Sequence, residues 1–479
     1  MSRAVVLRPK AARAFQDAAY AFLSNGTTLL VAAMVVLVLP KLLGVTDYSY
    51  WQLYLFYAGY VALLQFGWAD GMYLRHGGED YTSLTGGVIA RQFRLLVIGQ
   101  LLVALLLWLV AGLLTDNEQK VFIVRAVSVV LVLTNSRYML DLLLQSTGRV
   151  KGYAAIGLVD RVSYFAAVVL LLVLGSRHYQ LLIAAHLFGR LLSLACAVWL
   201  CRDLLINLSG TWADAIAQAR LNISTGMSLL LAGFAGMSII GLVRLGIEQT
   251  WDVETFGRIS LILSATSAFT AFTASVGVVM YPILRRVSRG RLATTYTSLR
   301  EVLVAATAVL LLVQQPLRSM LAAWLPQYAE SLAYLPLLLP VFVYSSRATL
   351  LTDTLLKTIR LERRMLAINV TALLFCGLGT YVCAVLLHSL FLTVLMVPVW
   401  VGFKTIAGEI VISRSLQQPC VVSLLLETTL IIISIWAGWA AIGSWLSSAI
   451  YGVALIVYIV LRQRSIRLSF EEIRRSAVA

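Results

Sequence analysis

Six arginines lie within stretches of the sequence that are otherwise almost entirely apolar. An arginine at the centre of a bilayer costs at least about 2.5–3.5 kcal/mol, so such a side chain normally faces a partner or a water-filled cavity. The planar guanidinium matches phosphate or carboxylate in bidentate geometry, and the chemistry indicated is anion binding. The six residues are Arg125, Arg137, Arg161, Arg190, Arg258 and Arg347.

Nearby acids leave two interpretations open for several of these arginines. Arg137 and Asp141 are four residues apart, the spacing of an ion pair within one helix. Asp160 and Arg161 are adjacent and point in different directions, so one of them is expected to face a cavity. Arg190 has no acid within one turn of its own helix, which leaves either a partner on another helix or a bound anion.

The other cations extend the set of candidate substrate-binding residues. Arg347 ends a polar patch that begins at Tyr344, and Lys404 falls in the inner half of its predicted helix. Arg125 and Arg258 lie close to outer helix ends, where long side chains can reach the lipid headgroups. We expect a cationic cavity at mid-membrane depth. The candidates are Arg161, Arg190, Arg347, Arg137, Arg125, Arg258 and Lys404.

Three acids, Asp70, Asp160 and Asp353, are candidates for ion coupling, although Asp353 has the spacing to pair with Lys357. The sequence contains no G-K-[ST] phosphate loop, and its four histidines and five cysteines have no metal-binding spacing. We therefore predict a protein that is not an enzyme, with no catalytic residues, no cofactor and no metal.

Two neutral surfaces could contact a sugar or could serve helix packing and the membrane interface. One is a double stripe of hydroxyl side chains in the eighth predicted helix, and the other is an aromatic cluster in the second predicted helix. An interfacial belt of aromatic residues accounts for the outer rings of that cluster but not for Tyr60. The hydroxyl residues are Ser260, Ser264, Ser267, Thr266, Thr270 and Thr273, and the aromatic residues are Tyr48, Tyr50, Trp51, Tyr54, Phe56, Tyr57, Tyr60, Phe66 and Trp68.

The elements that must position these side chains are membrane helices. Of 479 residues, 60% are hydrophobic and 13% are charged, against about 25% charged in soluble proteins. This composition excludes a cytosolic enzyme, a disulfide scaffold and a disordered chain, and it suffices for about 14 helices of about 20 residues. The predicted helices are 15–39, 49–70, 90–114, 120–144, 154–174, 179–200, 221–243, 254–280, 298–317, 331–355, 365–387, 389–412, 421–438 and 442–461. We interpret the first as a retained helix rather than a signal peptide.

The formal charge of +16 reports orientation. Of the lysines and arginines outside the six, 27 fall at the termini or in even-numbered loops and only 5 in odd-numbered loops. Cytoplasmic loops carry the positive excess, so both termini are predicted to be cytoplasmic. The odd loops are short, and no extracytoplasmic domain is expected. The charge thus indicates contact with anionic lipid and not with nucleic acid.

A weak internal repeat predicts two halves of six helices. A shift of 200 residues aligns helix one with helix seven, and both halves then start in the cytoplasm as a parallel repeat. Transporters of this kind bind substrate between their halves and alternate access. The predicted domains are 1–210, 211–419 and, as two additional helices with a basic tail, 420–479. The aligned identities are Ser24, Gly26, Leu29, Leu30, Ala32 and Leu42 with Ser224, Gly226, Leu229, Leu230, Ala232 and Leu242.

Two regions carry a resemblance to a known family. The first covers residues 50–57, 66–71 and 73–78, and resembles the second helix and following loop of Wzx-type polysaccharide flippases. These belong to the multidrug/oligosaccharidyl-lipid/polysaccharide (MOP) exporter superfamily. The second is similar to helices seven and eight of the same family, at 243–248, Trp251, 255–257, Tyr281-Pro282 and 284–286.

The resemblance implies a fold of two six-helix bundles in a V-shaped arrangement, often with two further helices. It implies a substrate, an oligosaccharide unit on undecaprenyl diphosphate, flipped across the cytoplasmic (inner) membrane of a bacterium for O-antigen, capsule or exopolysaccharide synthesis. Membrane lipids, a polysaccharide polymerase and chain-length machinery would be its partners. The family supplies no strict motif for the site, so the candidate residues rest on the charge argument alone.

Two other functions remain open at this point. A cation-coupled drug or metabolite antiporter of the same superfamily would need unpaired acids at mid-membrane depth and usually has twelve helices. A polysaccharide polymerase or membrane glycosyltransferase would need catalytic residues in sizeable outer loops, and the first outer loop offers only Asp47.

Overall fold

The protein is an all-α, polytopic membrane protein. The computed structural model describes residues 30–207, 209–267, 270, 289–441 and 444–478, and every regular element in that part of the chain is helical. Eleven helices there are long and apolar enough to cross a membrane. They coincide with eleven of the fourteen predicted segments, including the last two, at Val421–Ala440 and Leu446–Glu472.

The N-terminal part of the chain contains four long helices, a helix that crosses position 234, and shorter pieces between them. Residues 30–33 are α-helical and lead into a π-helical turn (Met34–Val38), and short 3₁₀ segments lie at Val61–Gln65 and Tyr81–Ser83. The α-helices are α1 (Leu39–Leu42), α2 (Val45–Ala58), α3 (Trp68–Arg75), α4 (Gly86–Leu114), α5 (Glu118–Ser146), α6 (Val150–Val173), α7 (Tyr179–Leu200), α8 (Arg202–Leu205) and α9 (Trp212–Thr250).

The C-terminal part has the same character, with π-helical turns at Ala348–Thr352 and Val382–Leu386. Short 3₁₀ segments lie at Leu311–Val313, Pro326–Tyr328 and Ser331–Tyr334. The α-helices are α10 (described over 253–267), α11 (Arg289–Leu310), α12 (Gln314–Trp324), α13 (Leu335–Arg347), α14 (Asp353–Thr358), α15 (Glu362–Tyr381), α16 (Leu390–Ser415), α17 (Val421–Ala440) and α18 (Leu446–Val478).

Three predicted segments have a different outcome. Most of the first, 15–29, lies outside the described residues, as do 268–269 and 271–280 of the eighth. The second, 49–70, is not one helix, because α2 ends at Ala58 and α3 begins at Trp68, with the 3₁₀ turn between them. That interruption places two successive residues in the left-handed region, Phe66 at φ 54° and Gly67 at φ 76°.

The interruption allows a very close contact between backbones. Gly67 and Gly71 have the small-xxx-small spacing that lets helices approach each other. A methyl group added at Gly71 would overlap the backbone of Asn222 on α9, and one added at Gly67 would overlap the backbone of Gly226. A side-chain hydrogen bond crosses the same contact, because Arg75 donates to the Asn222 side chain at 2.6 Å.

The chain divides into two compact units between Phe234 and Ala235. The core of the first unit joins α3, α4, α5, α6 and α7 through residues such as Met72, Leu96 and Ile156. The core of the second joins α11, α14 and α16 through residues such as Tyr296, Leu355 and Ile412. The predicted domain boundaries at 210/211 and 419/420 stay predictions, and half of the repeat alignment, including Ser24, Gly26 and Leu29, lies outside the described residues.

Candidate functional site

Asp160 and Arg190, two of the sequence candidates, lie halfway along neighbouring helices of the first unit. Asp160 is in the middle of α6, which has 24 residues, and Arg190 is in the middle of α7, which has 22. Helices of this length span a hydrocarbon core of about 30 Å, so both charges are placed near its centre. Arg137 comes from α5, the third helix of this group.

The three helices bring two arginines and two acids together, and we call this group the Asp160 cluster. Asp160 Oδ2 lies 3.1 Å from Arg190 Nη1 and 3.3 Å from Arg137 Nη1. Arg137 Nε lies 3.5 Å from Asp141 Oδ2, an ion pair by distance that lacks hydrogen-bond geometry. Arg190, which has no acid within one turn of its own helix, therefore pairs with Asp160 on the neighbouring helix. The two positive and two negative charges of the cluster balance.

A hydrogen-bonded chain extends the cluster to α2. Arg190 Nε donates to His186 Nε2 at 3.4 Å, and His186 Nδ1 lies 2.8 Å from the Tyr54 hydroxyl. Because Nε2 accepts, the remaining ring proton of a neutral His186 is on Nδ1 and faces Tyr54. The chain of polar groups thus links α2, α7, α6 and α5 through the middle of the unit.

Aromatic rings enclose one side of this chain. Trp51, Tyr54 and Tyr164 all lie against the His186 ring, with centroid distances of 5.5 to 6.2 Å. Trp51 and Tyr54 are fully buried. These members of the predicted aromatic surface therefore serve packing and not sugar contact.

Among the other aromatics of this surface, Tyr57 and Tyr60 are half-buried. Tyr60 packs edge-on against Phe56 at 5.3 Å and Phe234 at 5.8 Å. On the hydroxyl stripe, Ser260 and Thr266 are buried, and Thr266 donates back to its own helix at Ile262. Thr273 lies outside the described residues.

The Asp160 cluster is partly exposed, and some of its polar atoms have no hydrogen-bond partner among the described residues. Its side chains keep exposed fractions of 23% at Arg190, 15% at Asp160 and 13% at Arg137. Arg137 Nε and Asp141 Oδ1 are buried without a hydrogen-bond partner among the described residues. A cluster with spare donors and an open side can accept a further anion.

A second charged group, which we call the Glu409 network, lies in the second unit and has the opposite character. Glu409 accepts from Arg347 Nε at 2.9 Å and from Arg300 Nε at 2.8 Å. Glu427 accepts from Arg300 Nη2 at 2.7 and 2.8 Å and lies 3.0 Å from Arg347. The exposed fractions of these four side chains do not exceed 3%. The network is a closed, internally compensated structural core.

Glu301 and Arg462 extend the network by one more ion pair. The members come from α11, α13, α16, α17 and α18, and three arginines face three glutamates. The last two helices, predicted as additions to a twelve-helix core, contribute Glu427 and Arg462. Charge pairs buried in a low-dielectric interior therefore anchor both helices to the second unit.

Two assignments change with this geometry. Arg300, one of the 27 cations that the sequence assigns to the termini and even-numbered loops, is instead a buried residue of α11. Arg347, a substrate-binding candidate, has its donors directed at Glu409 and Glu427 rather than at a cavity. The sequence feature that could have predicted this pairing is the presence of Glu409 and Glu427 in strongly apolar helices, since such acids need cationic partners at the same depth in the membrane.

The other candidates are dispersed. Arg161 is half-buried beside Asp160 in sequence. Asp70 is buried and accepts from Gln65 at 2.7 Å and from Tyr138 at 3.3 Å, a local network at the start of α3. Its two donors account for both carboxylate oxygens.

Three further candidates contact charged or aromatic side chains. Lys404 lies 3.8 Å from Asp353, so the ion-pair partner of Asp353 comes from another helix. Arg258 lies between Glu254 at 3.9 Å and Glu330 at 3.7 Å. Arg125 is exposed and lies over the ring of Trp108. No group of three or more potential metal ligands occurs among the described residues.

Comparison with known proteins places the fold. No protein-family model and no curated protein sequence matches the chain. Among solved structures, the chain is similar to the lipid II flippase MurJ in an inward closed conformation, with a TM-score of 0.63. The likeness covers 94% of this chain and 100% of that one at 9% sequence identity. The expected all-α polytopic fold is thus confirmed, and it is similar to the fold of a solved flippase structure.

Proposed function

We propose that the protein is a flippase that moves undecaprenyl-diphosphate-linked oligosaccharide units across the bacterial inner membrane for cell-surface polysaccharide synthesis. The polyprenyl tail would remain in lipid while the charged and sugar-bearing headgroup crosses by alternating access. Both termini would lie in the cytoplasm, and a polymerase with its chain-length machinery would consume the product. Fold likeness to a lipid II flippase supports a lipid-linked substrate of this kind.

The Asp160 cluster is the observation that carries the proposal. A diphosphate needs several fixed donors, and Arg137 and Arg190 direct theirs at the same carboxylate oxygen, Asp160 Oδ2. That oxygen occupies the position where a phosphate oxygen would bind. Guanidinium groups hold phosphate and carboxylate by the same geometry, so the substrate would displace Asp160 from the arginines.

The displacement also gives Asp160 a role in coupling. With the arginines neutralised by the diphosphate, the freed carboxylate becomes an uncompensated charge at mid-membrane depth. Such a charge is costly unless it binds a cation or a proton. Asp160 therefore connects substrate binding to an ion, while Arg161 supplies further positive charge nearby. Arg347 has no part in this step, because it belongs to the closed Glu409 network.

The proposal is tested in proteoliposomes that contain the purified full chain and a polyprenyl-diphosphate-linked N-acetylglucosamine. An impermeant galactosyltransferase added outside with radiolabelled UDP-galactose modifies only headgroups in the outer leaflet. We expect the wild-type protein to make the inner pool available. Arg190→Gln is expected to reduce the rate by at least tenfold, because it removes one of the two donors to the diphosphate.

A double substitution separates a substrate role from a structural one. Asp160→Asn combined with Arg190→Gln removes one charge of each sign, so the double variant should recover the thermal stability that Asp160→Asn alone lowers. If the arginine binds substrate, the stable double variant stays inactive. Recovery of transport in the double variant would refute the role of Arg190. Arg202→Gln is the matched control and should transport normally.

A negative result with the wild-type protein would also be informative. Absence of headgroup translocation, combined with proton- or sodium-driven exclusion of ethidium by the same vesicles, would replace the flippase with the cation-coupled antiporter.

A further inference from the structure

An open apolar groove runs between α4 and α5 of the first unit. Its volume is about 440 Å³, within the range of ligand-binding sites. The lining residues are Leu101, Ala104, Leu105, Trp108, Ser128, Val129, Val132 and Leu133.

The groove exists because small residues meet at its floor. Ala104 and Ser128 are buried where the two helices face each other, while Leu105 and Val129 rise as exposed walls. The Ser128 hydroxyl donates to the Arg125 carbonyl of its own helix at 2.6 Å. The only hydroxyl in the lining is therefore satisfied within the helix, and the groove presents an apolar surface.

A cation lies beside one end of the groove. The guanidinium carbon of Arg125 is 5.4 Å from the ring centroid of Trp108, which is itself a lining residue. Arg125 is exposed, and the ring holds its charged group by a cation–π interaction. The groove thus combines an aliphatic surface with a fixed positive charge at one end.

Arg125 and Trp108 lie at a depth in the membrane where a lipid headgroup can reach them. α4 and α5 have 29 residues each, about 43 Å at 1.5 Å per residue, and they exceed a hydrocarbon core of about 30 Å by several ångströms at each end. Trp108 lies about 9 Å from the end of α4, and Arg125 about 10 Å from the start of α5. Both residues are therefore near the boundary between hydrocarbon and headgroups.

We propose that this groove binds an anionic glycerophospholipid of the surrounding bilayer, with one acyl chain against Ala104 and Val129 and the phosphate on Arg125. Charge complementarity selects a lipid with net negative charge over a zwitterionic lipid, because the zwitterion presents its own cation to Arg125. The site is independent of the transported headgroup, and it would fix a lipid on the packed α4–α5 pair.

The test is native mass spectrometry of the purified full chain, delipidated and then titrated with dioleoyl phosphatidylglycerol or dioleoyl phosphatidylcholine. We expect one phosphatidylglycerol to bind at least tenfold more tightly than phosphatidylcholine. Arg125→Gln should abolish that preference. Val129→Trp, which fills the groove from its lipid-exposed wall, should weaken binding of both lipids at this site.

The chain supplies a matched control for each variant. Arg202 lies 5.4 Å from the Trp199 ring, the same arrangement without a lining residue of the groove, and Arg202→Gln should leave the preference unchanged. Val169 has the same 40% exposed fraction as Val129, and Val169→Trp should not alter binding.

Three results would overturn the proposal. They are equal binding of the two lipids by the wild-type protein, an unchanged preference in Arg125→Gln together with unchanged affinity in Val129→Trp, and retention of undecaprenyl phosphate in place of phosphatidylglycerol. The last result would assign the groove to the polyprenyl carrier.

Discussion

At the scale of single residues, the two charged groups differ in how completely they are satisfied. Glu409 accepts from two arginines and has no exposed surface, whereas Asp141 keeps a buried oxygen without a hydrogen bond among the described residues. Complete pairing makes a rigid core, because every alternative arrangement leaves a buried charge uncompensated. Incomplete pairing beside an open side leaves room for a ligand.

The closed character of the Glu409 network predicts a large effect of a small change. Glu409→Gln removes the negative charge between Arg300 and Arg347 and is expected to destabilise the protein by about 3–5 kcal/mol, the usual effect of breaking a buried pair. Glu471→Gln is the control, since Glu471 pairs with the highly exposed Arg467 and should change stability by less than about 1 kcal/mol. Thermal unfolding in detergent micelles measures both. Equal melting temperatures would show that the network does not stabilise the unit.

At the scale of elements, the interruption between α2 and α3 has a defined purpose in packing. Phe66 and Gly67 turn the chain so that Gly67 and Gly71 meet the backbone of α9. The same contact aligns Arg75 with Asn222 and Asn222 with Gln92, whose side chains form hydrogen bonds of 2.6 and 2.8 Å. A polar layer between helices is formed only when the glycines permit that approach.

This contact predicts opposite outcomes for two glycine substitutions. Gly71→Ala places a methyl group on the Asn222 carbonyl, where backbone has to move, so we expect a loss of about 1–3 kcal/mol or failure to accumulate. Gly99→Ala, inside α4 with no atom near the added methyl group, should be neutral or slightly stabilising. Expression level and melting temperature of the two variants decide the matter, and a Gly71→Ala protein as stable as the wild type would contradict the close contact.

At the scale of the whole molecule, the distribution of lysine and arginine predicts the orientation in the membrane. By this prediction the fifth loop faces outward and the second loop faces the cytoplasm. His178 and Ser83 are exposed residues of these two loops. The helix boundaries define these loops, and the lysine and arginine bias predicts which side of the membrane each loop faces.

Cysteine labelling tests this orientation. In a Cys196→Ser background, a membrane-impermeant maleimide should label His178→Cys on intact cells, and should label Ser83→Cys only after the cells are opened. The native thiols should not interfere: the other four are buried, and burial raises the pKa of Cys201 to about 12, so its thiol stays protonated and unreactive at neutral pH. Labelling of Ser83→Cys on intact cells would invert the topology.

The sequence by itself determined the class and most of the helices. Apolar windows require spanning helices because backbone polar groups have no other partner in hydrocarbon, and eleven windows coincide with such helices. The windows could not show the interruption at Phe66 and Gly67, since hydropathy is insensitive to backbone conformation. The polytopic helical fold implied by the resemblance around Trp51 is likewise found and is similar to that of a solved lipid II flippase, although Trp51 itself is a packing residue.

Only the tertiary structure decided which charges are available to a ligand. Hydropathy placed Arg190 and Arg347 in the membrane on equal terms, because a one-dimensional pattern contains no information about neighbours on other helices. Packing of five helices closed Arg347 within the Glu409 network, while three helices left Arg190 on a carboxylate with an open side. Partnership across helices is a long-range property, and it separates the structural arginine from the proposed functional one.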